Sequence, residues 1–144
     1  MKNNIKSLFH IPFIILGSSM IILGLGWITV DEPWMLDRVA NEERLGMSFD
    51  DLFDSELNKT LPDYLKQIYR FFGLWVSIIG IFIVSFSRKK MIKNKDIRLS
   101  LLICIGVMVY IGIVFGYILI PSSPFIYLGW ILIVLHTPPI HPCL

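Results

Sequence analysis

The last third of this chain constrains its fold most, because it carries no acidic side chain and no Lys or Arg. From Leu99 to Leu144 the sequence contains no Asp, Glu, Lys or Arg, although these types make up 17% of the 144 residues. A soluble domain is about 25% charged and needs those side chains to cover its surface. The segment therefore excludes a soluble globular domain, a disordered chain and a nucleic-acid-binding protein. An integral membrane protein remains.

Four apolar stretches predict helices that cross a bilayer. A helix needs about 20 residues to cross the hydrocarbon core, and an unpaired backbone cannot lie in lipid, so helix is the state that fits. The predicted spans cover about residues 11–30, 68–87, 99–120 and 123–138. The fourth span is short and runs into a Pro-rich tail, so it requires either part of that tail or a thinned bilayer. The sequence thus predicts an all-α integral membrane protein with four transmembrane helices in a single domain, residues 1–144.

The distribution of charge predicts how these helices are oriented. The loop 31–66 holds ten of the eleven acidic residues and four basic ones, which gives it a net charge of −6. The loop 88–98 holds six basic residues and one acid, a net charge of +5. Basic segments remain in the cytoplasm. We therefore expect the loop 88–98 and both termini to be cytoplasmic, with the loop 31–66 outside the plasma membrane.

The acidic loop is too long for a simple connection, so it is expected to fold into short amphipathic helices that cap the outer side of the bundle. Pro33 follows two acids at a helix start, Gly46 suits a helix end, and Ser48 precedes the first-turn acids of another helix. Two interpretations of this cap remain open. Its helices lie at the membrane interface and cover the bundle, or its acids form a docking surface for a basic partner or a cation.

Arg70 is the one charged residue within the predicted spans, and it lies near the outer end of the second. Burying its charge in the membrane is costly unless the side chain reaches the interface or pairs with an acid. Asp63 precedes it on the same helix face, and Asp31 and Glu32 follow the first span. Arg70 is therefore a snorkelling anchor, a member of a structural ion pair with one of these acids, or part of a ligand-binding site.

Small residues recur at helical spacing in three of the spans. Such positions let helix backbones approach closely in lipid, where no hydrophobic force drives helices together. The candidate packing positions are Gly17 and Gly24 in the first span, Gly73, Ser77 and Gly80 in the second, and Gly112 and Gly116 in the third. The last two form a G-x-x-x-G motif, which predicts contact either within the bundle or between two copies of the chain.

Residues with catalytic or metal-binding chemistry are sparse and form no recognisable motif. His10, His136 and His141 all fall at the cytoplasmic edge of the predicted topology, but their spacing matches no metal pattern, so they are interpreted as polar anchors. The sequence shows no nucleophile elbow, phosphate loop or metalloprotease motif. We therefore predict no catalytic residues, no metal site and no cofactor, and an enzyme is not favoured.

Two functions of different classes fit these features. The first is a non-catalytic subunit or accessory protein that acts through helix packing and its acidic outer face. The alternative is a small transporter, channel or lipophilic-ligand-binding protein with a cavity between the spans near Arg70. The expected partners are the lipid bilayer and either a second copy of the chain or another membrane protein. A tightly packed bundle without a cavity would favour the first function, and a cavity lined by Arg70 and polar groups such as Ser77 or Tyr110 would favour the second.

Overall fold

The computed structural model describes residues 10–140, with side chains to residue 137, and all regular secondary structure in this part of the chain is helical. Two 3-10 turns, Pro33–Asp37 and Glu56–Asn58, lie between the helices. The six α-helices are α1 (His10–Thr29), α2 (Arg38–Leu45), α3 (Phe49–Asp54), α4 (Leu61–Phe86), α5 (Lys95–Leu119) and α6 (Phe125–Ile140). The predicted all-helical class is confirmed.

Three of the helices, α1, α4 and α5, are long and apolar enough to cross a membrane. Helix α6 is equally apolar but has only 16 residues, so the fourth span stays a prediction. Large apolar side chains such as Ile22, Phe82 and Ile118 are exposed along the long helices, as expected for surfaces in contact with lipid. Together these helices indicate an integral membrane location.

Helices α1 and α4 form an antiparallel pair whose backbones nearly touch. A Cβ atom added to Gly17 would lie 2.8 Å from the carbonyl oxygen of Gly80, and one added to Gly24 would lie 2.5 Å from that of Gly73. Both distances are shorter than real Cβ atoms show. Only glycine permits this approach, which brings many backbone and side-chain atoms of the two helices into van der Waals contact.

Helices α5 and α6 form a second antiparallel pair, which is joined to the first mainly through α1 and α6. The rings of Phe13 and His136 meet at one end of this junction, and those of Trp27 and Phe125 meet at the other. A buried apolar cluster fills the first of these ends, next to the basic loop 88–98. Its members are Phe13, Leu16, Ile83, Ile92, Leu102, Ile105 and Val109.

Residues 31–60, here called the cap, cover the opposite end of the bundle. Gly46 ends α2 in the left-handed conformation with φ of 70°, and the Ser48 hydroxyl accepts a hydrogen bond from the Asp51 amide to begin α3. The ring of Trp34 packs against those of Phe49 and Phe53, with centroids 6.3 and 5.5 Å away. This aromatic cluster gives the cap a small core of its own.

Candidate functional site

A cavity of about 470 Å³ lies between the two helix pairs on the side of the cap. Its size falls within the ~300–1,000 Å³ typical of small-molecule sites. Most of its wall is apolar and comes from all four long helices, including Met20, Val76, Met108, Gly112 and Leu132. A cavity of this composition can hold a nonpolar molecule or the chain of a lipid.

Among the residues that line the cavity, polar side chains lie only where the cavity meets the cap. These are Asp37 and Asn41 from the cap and Tyr69 from α4. The amide nitrogen of Asn41 donates to the carbonyl oxygen of Trp34 and to the hydroxyl oxygen of Tyr69, each at 3.0 Å. Tyr69 accepts this bond with its oxygen, so its own hydroxyl hydrogen is still available for donation.

Asp37 is the acidic residue of this polar end, and its side chain is only half satisfied. The residue is 8% exposed. The Ser123 hydroxyl donates to its Oδ2 at 2.9 Å, whereas Oδ1 is buried without a partner among the described residues. Burial raises the pKa of the Asp37 carboxyl above its ordinary value of 3.8, and the bond from Ser123 opposes this shift only in part.

Trp27 contributes an unsatisfied donor to the same end of the cavity. It is 8% exposed, and its ring packs against those of Phe72 and Phe125 at centroid distances of 5.0 and 5.2 Å. Its Nε1 is buried and has no hydrogen-bond partner in the described part of the chain. Buried indole N–H groups usually find a partner. Two residues that line the cavity, Trp27 and Asp37, therefore carry a buried donor and a buried acceptor without partners among the described residues.

Three contacts hold the connection between α5 and α6 against the cap. The Arg44 guanidinium donates to the carbonyl oxygens of Ile118 and Leu119, which are among the unpaired carbonyls at the end of α5. The Ser122 hydroxyl donates to the Glu43 carboxylate, and the bond from Ser123 to the cap residue Asp37 lies beside it. The cap thereby bridges both helix pairs.

Comparisons with protein-family models, with curated proteins and with solved structures each find no match. The cavity is therefore the feature of this chain that bears most directly on function. That geometry offers apolar walls for a hydrophobic body and hydrogen-bonding groups of both kinds for a single polar end. Such a division is typical of sites that hold an amphipathic small molecule.

The ion pair near the N-terminal end of α4 involves Lys66 rather than Arg70. The Lys66 ammonium lies 3.0 Å from the Asp31 carboxylate, and this hydrogen bond is the main reason that the pKa of Asp31 is lowered. Arg70 is exposed, and its charge adds a weaker effect on the same carboxylate. Within the described residues Arg70, Glu32 and Asp63 form no ion pair, and none of these three lines the cavity.

The predicted packing positions separate into two groups. The structure brings Gly17, Gly24, Gly73, Ser77 and Gly80 together in the contact between α1 and α4. Gly112 and Gly116 instead line the cavity. A Cβ atom at Gly112 would meet nothing within 4 Å, and one at Gly116 would be in ordinary contact with Ile126 at 3.7 Å. Their G-x-x-x-G motif brings no helix backbone close in this chain, and its use between two copies stays a prediction.

His136 lies in the interior rather than at the surface expected of a polar anchor. It is 5% exposed, its Nε2 lies 3.0 Å from the Leu102 carbonyl oxygen, and its Nδ1 lies 3.3 Å from the Tyr110 hydroxyl. A carbonyl oxygen only accepts hydrogen bonds, so Nε2 of His136 donates to Leu102. His10 begins α1, and His141 lies outside the described residues. Across residues 10–137 no three metal-ligand side chains cluster.

Sequence reasoning missed the polar end of the cavity. One signal was present, since Asp37 lies three residues from both Trp34 and Ala40, on the face that these two buried side chains share. An acid on an apolar helix face is expected to be buried with a partner. Trp27 and Tyr69 gave no such signal, because aromatic residues near the end of a span are ordinary interface anchors.

Proposed function

We propose that this small helical membrane protein binds a lipophilic molecule with one polar end in the cavity between its two helix pairs. The observation that supports the proposal is the cavity itself, with apolar walls along its length and orphaned hydrogen-bonding groups at the cap. This is the ligand-binding alternative raised by the sequence. Its polar end is centred on Asp37 instead of Arg70.

The way the helices pack supports binding in this place. The glycines that bring α1 and α4 together have no counterpart between the two pairs, where Gly112 and Gly116 face the cavity. A bundle that needed only to be stable would gain van der Waals contacts from larger side chains at these positions. Met20 and Met108 in the wall are flexible, so they can adapt to a ligand chain.

The proposal places the cavity in the outer half of the plasma membrane. We propose that α6 also crosses the bilayer, that the cap lies outside, and that the basic loop 88–98 and both termini are cytoplasmic. The charge contrast between the loops 31–66 and 88–98 supports this orientation. A ligand would then enter from the outer leaflet or from the space beyond it.

A second candidate function is that of an accessory subunit that docks a basic partner on the acidic cap. It is favoured by the exposure of four acids around α3, namely Asp50, Asp51, Asp54 and Glu56. Leu57 beside them is 94% exposed and would be covered by such a partner or by lipid. A homo-oligomer or a complex with another membrane protein is compatible with either function.

The decisive experiment fills the cavity without disturbing the helices. In Gly112→Leu the new side chain starts in open space and extends from a wall of the cavity. Gly26→Leu is the matched control, because its Cβ also meets nothing within 4 Å but Gly26 does not line the cavity. Each protein is extracted from its native membrane into lipid nanodiscs, washed with lipid, and examined by mass spectrometry for bound lipids and proteins.

We expect the unaltered chain and Gly26→Leu to retain the same lipophilic compound in near-stoichiometric amount. Gly112→Leu should lose at least 90% of it while melting at an unchanged or higher temperature. Equal retention by both variants would show that the compound does not occupy the cavity. If the chain carried a basic protein and no lipophilic compound, the accessory function would replace the proposed one.

A further inference from the structure

The polar end of the cavity indicates which headgroup its ligand carries, an inference that rests on the proposed function. Three residues that line the cavity have hydrogen-bonding capacity that no group among the described residues uses. Asp37 has a free Oδ1, Trp27 has a free Nε1–H, and the Tyr69 hydroxyl hydrogen is not used by its bond from Asn41. Asp37 and Trp27 are each more than nine-tenths buried, so bulk water does not satisfy them.

An anionic headgroup does not fit this set. The residues described as lining the cavity include Asp37 and no Lys or Arg. Arg38 is paired with Glu42, and Arg44 donates to the carbonyls at the end of α5. A carboxylate or phosphate would therefore meet an acid without a compensating cation, in a site where burial strengthens the repulsion.

An ammonium headgroup fits only one of the three groups. It has donors and no acceptor, so it would bond to Asp37 but leave the Trp27 N–H and the Tyr69 O–H without partners. A hydroxyl donates one hydrogen bond and accepts up to two. It can therefore donate to Asp37 while accepting from Trp27 or Tyr69.

We infer that the ligand is a neutral long-chain alcohol, or a lipid that presents a free hydroxyl, with that hydroxyl between Asp37 and Trp27 and its chain along Met108 and Leu132. The fit does not depend on the charge of Asp37. When the carboxyl is ionised the hydroxyl donates to Oδ1, and when it is protonated the hydroxyl accepts from it. Burial raises the pKa of Asp37, so its carboxyl becomes protonated at a higher pH than an exposed acid would.

The experiment compares three photoreactive probes of the same length in the full chain reconstituted in phosphatidylcholine nanodiscs. The probes are decanol, decylamine and decanoate, each with a diazirine in the middle of the chain. After irradiation at pH 7.4, mass spectrometry locates the labelled residues, and excess 1-decanol tests whether labelling is saturable. We expect saturable labelling of the α5 and α6 walls, at least tenfold stronger for the alcohol than for decanoate and at least threefold stronger than for decylamine.

Three variants test the headgroup contacts. Asp37→Leu should lower decanol labelling at least fivefold, whereas Asp54→Leu, which replaces an exposed acid of the same cap, should not change it. Asp37→Asn retains an acceptor and a donor, so it should keep decanol labelling within twofold and controls for misfolding. Trp27→Phe keeps the ring packing but removes the N–H, and it should weaken decanol labelling without affecting decylamine.

The outcomes separate the headgroup inference from the proposed function. Saturable cavity labelling that is equal for the three probes, or strongest for decylamine or decanoate, would overturn the hydroxyl assignment and leave a lipophilic-ligand site. Labelling that 1-decanol fails to compete for any probe would overturn the proposed function as well. Unchanged decanol labelling in Asp37→Leu would also contradict the assignment, because the acid would then take no part in binding.

Discussion

The contact between α1 and α4 makes a sharp prediction for the substitution Gly24→Ala. The added Cβ would lie 2.5 Å from the Gly73 carbonyl oxygen and 2.8 Å from the Ser77 amide nitrogen, whereas ordinary contacts begin at 3.4 Å. The Ser77 hydroxyl lies closer still, but these two obstacles are backbone atoms, so the two helices must separate by roughly 1 Å at this point. Overpacking of this kind costs about 1–3 kcal/mol, and two backbone obstacles put Gly24→Ala at the upper end.

The higher helix propensity of alanine offsets part of this cost, by about 1 kcal/mol. We therefore expect Gly24→Ala to lower the free energy of unfolding by about 2 kcal/mol, which corresponds to a fall in melting temperature of roughly 4–8 °C. Gly26→Ala is the control, since its Cβ meets nothing within 4 Å and the propensity gain stands alone. It should melt up to about 3 °C higher than the unaltered chain.

The assay is thermal unfolding in detergent, followed by circular dichroism for the two variants in parallel. A double variant that adds Ser77→Ala to Gly24→Ala shows whether the backbone or the Ser77 hydroxyl is the obstacle to the new Cβ. Ser77→Ala removes the hydroxyl that would clash with the new Cβ, but it leaves the Gly73 carbonyl in place. It should therefore not rescue Gly24→Ala. If Gly24→Ala melted as high as Gly26→Ala, the close approach of the two backbones would be refuted.

Three further predictions concern the cap. Burial raises the folded-state pKa of Asp37 above 3.8, so the folded chain holds this proton more tightly than the unfolded chain. Stability should therefore fall as the pH rises from about 4 through the folded-state pKa, and urea unfolding of Asp37→Asn should lack that component of the pH dependence. Arg44→Met removes the donors to the Ile118 and Leu119 carbonyls, so it should cost about 1 kcal/mol and speed amide exchange in residues 118–123; unchanged exchange would contradict the bridging role of Arg44. In a background of Cys104→Ala and Cys143→Ala, Leu57→Cys should react with an impermeant maleimide on intact cells and Lys90→Cys only after permeabilisation, whereas the reverse pattern would invert the proposed topology.

The fold was largely predictable because its signals are local. Charge-free stretches mark the long helices, and the spacing of Leu61, Leu65, Ile68 and Phe72 predicts a helix that enters the second span from outside it. The structure has this helix from Leu61 to Phe86. The end of α2 at Gly46 and the start of α3 at Ser48 are likewise set by one or two residues.

The site was not predictable to the same extent because it depends on contacts between distant segments. Asp37 meets Ser123, and His136 meets Leu102, across separations that no periodicity records. The sequence suggested an ion pair for Arg70 because its charge is isolated, but Lys66, one turn earlier, forms the ion pair with Asp31. Sequence spacing places both basic residues on one helix, but it does not show which of them contacts the Asp31 carboxylate.

The glycine contact between α1 and α4 has a consequence for the order in which the chain is assembled during synthesis. Its glycines lie between Gly17 and Gly80 and their neighbours extend to Val84, so the first hairpin possesses this contact while the remainder is still in the ribosome or the translocon. The later hairpin has contacts of its own, such as that of His136 with the Leu102 carbonyl oxygen, and it is held against the first by Arg44, Glu43 and Asp37 of the cap, which are already made. The cavity therefore comes into existence only at the final docking step, when a hydrophobic compound present in the bilayer can be enclosed as the last part of the fold.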